Sequence, residues 1–166
     1  ATTDIYTLSL HDALPILNPA PATFLPDEIY KNITTIIPNE NEIEVLTGIK
    51  VINENTALKS ALALKEKGVE NIIITLGSAG SFVLSEEFTG VISAPKVKVI
   101  DSTAAGDTFC GALAVGLSKG YKLENAIKYA NFAAALSVTR IGAQNSVPFE
   151  NEVLEFLENE KSILNL

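Results

Sequence analysis

The chain has 166 residues, 47% of them hydrophobic and 19% charged, with a formal net charge of −8. This composition fits the core of one globular domain or part of a larger one. The negative charge argues against a nucleic-acid surface or an anionic membrane as partner, but leaves phosphate ligands open, because backbone N–H groups bind them without Lys or Arg. A single cysteine, Cys110, excludes an internal disulfide and suggests no cysteine zinc site. A reducing, cytoplasmic setting is the default expectation, and no apolar run reaches the length of a bilayer span.

Residues 1–16, ATTDIYTLSLHDALPI, show no clear periodicity and carry the only histidine, His11. They resemble the translation of one frame of a common short-read sequencing adapter, departing from it at Asp4, where that frame encodes Glu. The expectation is that this segment is foreign to the fold, that the native chain starts in mid-gene near Leu17, and that an N-terminal portion is missing. Taking its two Asp from the −8 leaves −6, and no histidine remains to serve as base or metal ligand.

Residues 16–18 read as the end of a buried strand running into a Pro-rich turn. Residues 26–33 can form a short helix with Pro26 in its first turn, and the β-branched run at 35–37 a strand. A helix is expected over 40–46 and another over 55–67, where Ala57, Leu58, Ala61, Leu62 and Leu64 make an apolar stripe that stops at Gly68. The continuous apolar run 71–76 suits a strand buried on both faces of a parallel sheet. A tight loop at 77–80 leads to a hairpin formed by 82–84 and 90–93. The weakly alternating run 97–100 is expected to be a further strand. Helices are expected over 104–117 and 122–139, with a third marked by Phe149, Val153, Phe156 and Leu157. No linker divides the chain. Alternating strands and helices mean an α/β layered fold with a mostly parallel sheet.

The stretch with most chemistry is DSTAAGDTFCG, residues 101–111. A strand ends and a helix begins there. Ala104, Ala105 and Gly106 have almost no side chain, so their N–H groups can approach a ligand at the positive end of the helix. That makes an anion site suited to a transferring phosphoryl group. Asp107, in the first turn, can accept a proton from an alcohol, and phosphoryl transfer needs little beyond positioning and charge neutralisation. The same residues would also make an ordinary helix start.

Four further stretches stand in order around it: NPAPA at 18–22, PNENE at 38–42, TLGSAG at 75–80 and TRIGAQNSVP at 139–148. Together with DSTAAGDTF they resemble the ribokinase-like (PfkB) carbohydrate kinases, over residues 17 to about 158. The resemblance implies a layered α/β/α fold truncated at its N-terminus, with residues 17–166 the C-terminal, nucleotide-binding part. It implies ATP-dependent phosphorylation of a sugar hydroxyl, D-ribose to D-ribose 5-phosphate as the leading case. Asp107 is then catalytic base and substrate contact, and Ala104, Ala105 and Gly106 the anion hole. Asn39, Thr75, Gly77, Ser78, Gly80 and Asn131 would surround the nucleotide. Asn39 and Glu42 belong to the Mg²⁺ and phosphate environment, Glu42 through water. Asp101 and Thr103, closed by Ser137, Arg140, Gly142 and Ser146, resemble a K⁺ site built mostly of backbone carbonyls.

Plainer roles stand beside these: Asn39 and Glu42 as helix cap and first-turn acid, residues 77–80 as a turn, Asn131 facing solvent, Arg140 pinning a loop, Cys110 packed. The partners implied are a small sugar and ATP, with a homodimer for the full-length protein. Alternatives are a fructokinase, a nucleoside kinase, a 2-keto-3-deoxygluconate kinase or a non-catalytic nucleotide-binding module. Family members are about twice this length, with sugar specificity in the half absent here, so this polypeptide alone is expected to show little or no activity and to be aggregation-prone.

Overall fold

A computed structural model of the chain describes residues 15–164; His11 and the rest of residues 1–14 lie outside them. Two compact units divide the described residues, one up to residue 74 together with 83–89, the other from 75–82 and from residue 90 onward. The division falls inside strands and not at a linker.

The first unit is built from parallel strands joined through helices: β1 (Ile16–Leu17), α1 (Asp27–Tyr30), β2 (Thr35–Ile36), α2 (Glu40–Thr47), α3 (Glu54–Glu66) and β3 (Asn71–Thr75), whose last residue belongs to the second unit. Ile16 pairs with Thr35 and Leu17 with Ile36, while Thr35 pairs with Asn71 and Ile36 with Ile72. Ile72, Ile73 and Ile74 are fully buried, which explains why the run does not alternate. Burying each stabilises the fold by about 1.5–3 kcal/mol.

The α3 stripe needs one correction. Ala57, Ala61 and Leu64 are buried, but Leu62 is 42% exposed, because it follows Ala61 by one residue and so points off the buried row. The short helix expected over 26–33 keeps only Asp27–Tyr30, since Asn32 and Ile33 close into tighter bonds with the carbonyls three residues back. Lys67, just past α3, pairs with Asp27 at 2.9 Å and sits 4.7 Å over the Tyr30 ring. Burial raises the Tyr30 hydroxyl pKa, and the hydrogen bond that Lys67 donates to Asp27 raises the pKa of Lys67.

In the second unit a 3₁₀ turn, Gly77–Ala79, leads into β4 (Ser81–Leu84), which ends in the first unit, and β5 (Thr89–Ile92). The short connections make both strand pairs antiparallel. The sheet order is β1-β2-β3-β4-β5. Next come α4 (Ala105–Ser118), α5 (Leu123–Ser137), a 3₁₀ turn at Gln144–Ser146 and α6 (Glu150–Leu164).

Gly116 lets α4 and α5 approach: a Cβ there would lie 3.1 Å from the Ala126 Cβ. Tyr129, Phe132, Ala133 and Val153 form one core cluster of this unit, with Phe156 edge-on to Phe132 at 5.2 Å and Leu157 beside them. Phe149, expected on this buried face, is instead 76% exposed, because it precedes the helix. The strand expected over 97–100 does not form. Val99 and Ile100 are more than half exposed, and the Ile100 N–H bonds the Val138 carbonyl at the end of α5. No helix among the described residues is long and apolar enough to cross a membrane.

Candidate active site

The start of α4 is shaped by its backbone. Ala104, at the N-cap, has φ 60° and ψ 16°, the one non-glycine with positive φ among the described residues. A left-handed alanine costs roughly 1–2 kcal/mol, so it persists only where its surroundings dictate it. Having no side-chain oxygen, Ala104 cannot cap the helix as Ser or Asp would. Its carbonyl accepts the Thr108 N–H at 2.9 Å and the Thr108 hydroxyl at 2.9 Å, the first closing the first helical turn.

The Ala105 N–H turns back to the Ser102 carbonyl at 3.3 Å. No side chain caps the Gly106 and Asp107 N–H groups. Of the Ala104, Ala105 and Gly106 N–H groups read from the sequence, that of Ala105 is thus turned inward, and those of Gly106 and the following Asp107 are open donors in the first turn. Both residues are exposed, and the Asp107 carboxylate stands in the same turn. An open pair of N–H donors beside a carboxylate can hold an anion and accept a proton next to it.

Immediately upstream, Asp101 is saturated with donors. Its Oδ1 accepts the Thr103 hydroxyl at 2.6 Å and the Thr103 N–H at 2.9 Å, and its Oδ2 accepts the Gly142 N–H at 2.9 Å. The Thr103 hydroxyl, then the Gly142 and Thr103 N–H groups, pull its carboxyl down to about 2. Asp101, Thr103 and Gly142 are thus brought together. Ser137 and Ser146, both fully buried, give their hydroxyl protons to the Ala134 and Ala143 carbonyls at 2.8 and 2.7 Å. Arg140 is different: its guanidinium pairs with Glu152 at 2.5 Å, so only its backbone could face a cation. Sequence reasoning missed Glu152. Its one signal was an acid three residues after Phe149, the spacing of a capping glutamate.

Thr75 ends β3, and Gly77 and Ser78 open the exposed 3₁₀ turn. Gly80 closes that turn, buried, with φ 101°; a Cβ on it would meet the Ile92 carbonyl oxygen at 2.2 Å. Asn131 does not face solvent. It is 4% exposed, and its Nδ2 donates to the Ser81 Oγ at 3.1 Å and the Ile92 carbonyl at 3.0 Å. Its amide therefore pins the hairpin that follows the turn to α5.

Asn39 and Glu42 lie in the first unit, where they form a complete capping box on α2. The Asn39 Oδ1 accepts the Asn41 and Glu42 N–H groups at 3.0 and 2.9 Å, and the Glu42 Oε2 accepts the Asn39 N–H at 2.8 Å. The plainer role read from the sequence is present in full. No group of three His, Cys, Asp or Glu side chains that could hold a metal ion occurs among the described residues.

A profile described as pfkB family carbohydrate kinase matches residues 6–150. A protein named ribokinase from Haemophilus influenzae is 46% identical over 144 residues, covering 87% of this chain and 47% of that protein. The crystal structure of a ribokinase from Thermotoga maritima superposes with a TM-score of 0.82 at 39% identity, over 89% of this chain and 50% of its own. An Arabidopsis thaliana ribokinase, solved with ribose and ATP, superposes with a TM-score of 0.81 at 33% identity, over 86% of this chain and 47% of its own. The layered α/β fold expected from the sequence is the fold of these neighbours. The chain spans about half the length of the relatives it matches.

Proposed function

This chain belongs to the pfkB family of carbohydrate kinases, and from that premise we propose that it is the nucleotide-binding part of an ATP-dependent sugar kinase with Asp107 as its base. The observation that carries the reading is the uncapped start of α4, where the Gly106 and Asp107 N–H groups stand open beside the Asp107 carboxylate. Those donors would offset the charge that develops on the transferring phosphoryl group, and Asp107 would take the proton of the attacking sugar hydroxyl. D-ribose is the preferred acceptor, since the relatives named above are ribokinases and one was solved with ribose and ATP.

Thr75, Gly77, Ser78 and Gly80 would form the turn that meets the nucleotide. Asn131 would act behind it, holding the hairpin. With no carboxylate cluster among the described residues, the chain would receive Mg²⁺ together with the nucleotide phosphates, and the ion would neutralise their charge. Glu42 keeps Oε1 outside the capping box for a water of that ion. A monovalent cation near Asp101 would have to rely on backbone carbonyls, because the Asp101 oxygens already hold three donors and Arg140 is itself cationic.

Two measurements test the reading. In the full-length gene product, Asp107→Asn should lower ribose-dependent ATP turnover by about 10²–10⁴-fold. Turnover within error of the parent would overturn the assignment of Asp107, and nucleotide binding without any transfer would favour a non-catalytic module. The 166-residue chain alone should bind nucleotide but turn over little or no ribose; ribose-dependent turnover by it, lost in Asp107→Asn, would show that this part suffices.

A further inference from the structure

A row of polar contacts runs from the C-terminal helix to the start of α4, and the chemistry proposed above does not use its far end. Glu152, in the first turn of α6, receives the Arg140 guanidinium on both oxygens, Nη2 at 2.5 Å from Oε1 and Nη1 at 3.3 Å from Oε2. The same Oε2 accepts the Phe149 N–H at 2.7 Å. The Arg140 N–H donates to the Ser137 carbonyl at 3.1 Å, so the residue that meets α6 also finishes α5. Two residues on, the Gly142 N–H reaches Asp101, and the Val138 carbonyl accepts the Ile100 and Asp101 N–H groups at 2.8 and 3.2 Å. Asp101 in turn holds Thr103 by two bonds, and the next residue is the left-handed Ala104.

A strained alanine stays in place only when its neighbours over-determine it. Here the bracing contacts arrive on its N-terminal side, from a corner that Arg140 and Glu152 hold. We infer that Arg140 and Glu152 are positioning residues for the anion-binding end of α4. Their ion pair fixes the 138–142 corner, the corner clamps Asp101, and Asp101 sets the turn that leaves the Gly106 and Asp107 N–H groups open. The inference rests on the kinase reading only for what that open end binds. The Arg140 and Glu152 side chains are 34% and 32% exposed, so salt weakens the brace without unfolding the core.

Amide exchange of the isotope-labelled chain tests this without any activity. It is measured at Gly142 and Thr103, with Ile73 and Phe132 as buried references, in the parent, Arg140→Lys, Arg140→Gln and Glu152→Gln. Exchange at Gly142 and Thr103 should speed up by about two- to fivefold in the two Gln variants, less in Arg140→Lys, and not at the references. Salt at about 1 M should produce part of the same rise in the parent, which keeps the test decisive where a variant fails to fold. Unchanged rates at Gly142 and Thr103, or an equal rise at all four amides, would overturn the brace. Titration with inorganic phosphate, followed at the Gly106 and Asp107 amides, should then show weaker binding in Arg140→Gln than in the parent. No phosphate response in the parent would count against the kinase reading, while the exchange rates still decide the brace.

Discussion

In the first unit, α2 and α3 finish their own N-termini with side chains: Asn39 with Glu42, and Asn53 with Thr56, each a reciprocal capping box. In the second unit neither α4 nor α5 has a side-chain cap, and the backbone takes positive φ at Ala104, Gly77 and Gly142. A capping side chain supplies acceptors that the helix would otherwise seek outside itself. At α2 and α3 the first unit spends polar groups on closing helix starts. The second leaves donors unspent at α4, which makes it the unit with something to offer a ligand.

The sharpest way to break this contrast is at Gly80, where backbone shape leaves no room for a side chain. Gly80→Ala would combine a φ of 101° with a Cβ 2.2 Å from the Ile92 carbonyl oxygen. It should destabilise the chain by at least about 3 kcal/mol in denaturant unfolding. Gly77→Ala, with positive φ but nothing within 4 Å of its Cβ, should cost less, about 1 kcal/mol. Equal costs would mean that space, not only conformation, is available at Gly80.

Next in size is Asn39→Ala, which removes an acceptor serving two N–H groups and should cost about 1 kcal/mol. Nucleotide binding separates the two roles of Asn39: a cap alone predicts lost stability with affinity kept. The opposite change at the other helix sharpens the comparison. Ala104→Gly relieves a left-handed alanine and supplies a better N-cap residue, so it should stabilise the chain by about 0.5–1 kcal/mol. A loss of stability there would show that the methyl group, not the conformation, is what α4 requires.

What could be read in the sequence follows the same division. The Asn39–Glu42 box was legible because a cap is a local pattern, closed within four residues. AAGD was legible as a small-residue helix start next to an acid, and five motifs in order identified the family. What escaped were contacts that chain distance hides. Arg140 finds Glu152 twelve residues on, and the Asn131 amide turns inward to Ser81 and Ile92. The strand expected over 97–100 failed for a related reason: VKVI has the residues of a strand, but its end bonds a helix terminus instead of a neighbouring strand. The left-handed turn at Ala104 is a backbone angle that no residue type announces.

The smallest effect lies in the first unit, where a surface pair does a side chain's share of the closing. The hydrogen bond that Lys67 donates to Asp27 raises the pKa of Lys67 above 10.5. For a base with a raised folded-state pKa, the stabilisation is fully present below its unfolded value and fades as pH climbs through the folded one. The pair is solvent-screened, with Asp27 73% exposed, so Asp27→Asn should cost only a few tenths of a kcal/mol near neutral pH. That difference should hold to about pH 10 and vanish above the raised pKa, while high salt shrinks it at every pH. If it survives at alkaline pH, the Tyr30 ring, which Lys67 covers at 4.7 Å, carries the stabilisation through packing, and the charge of the pair is incidental.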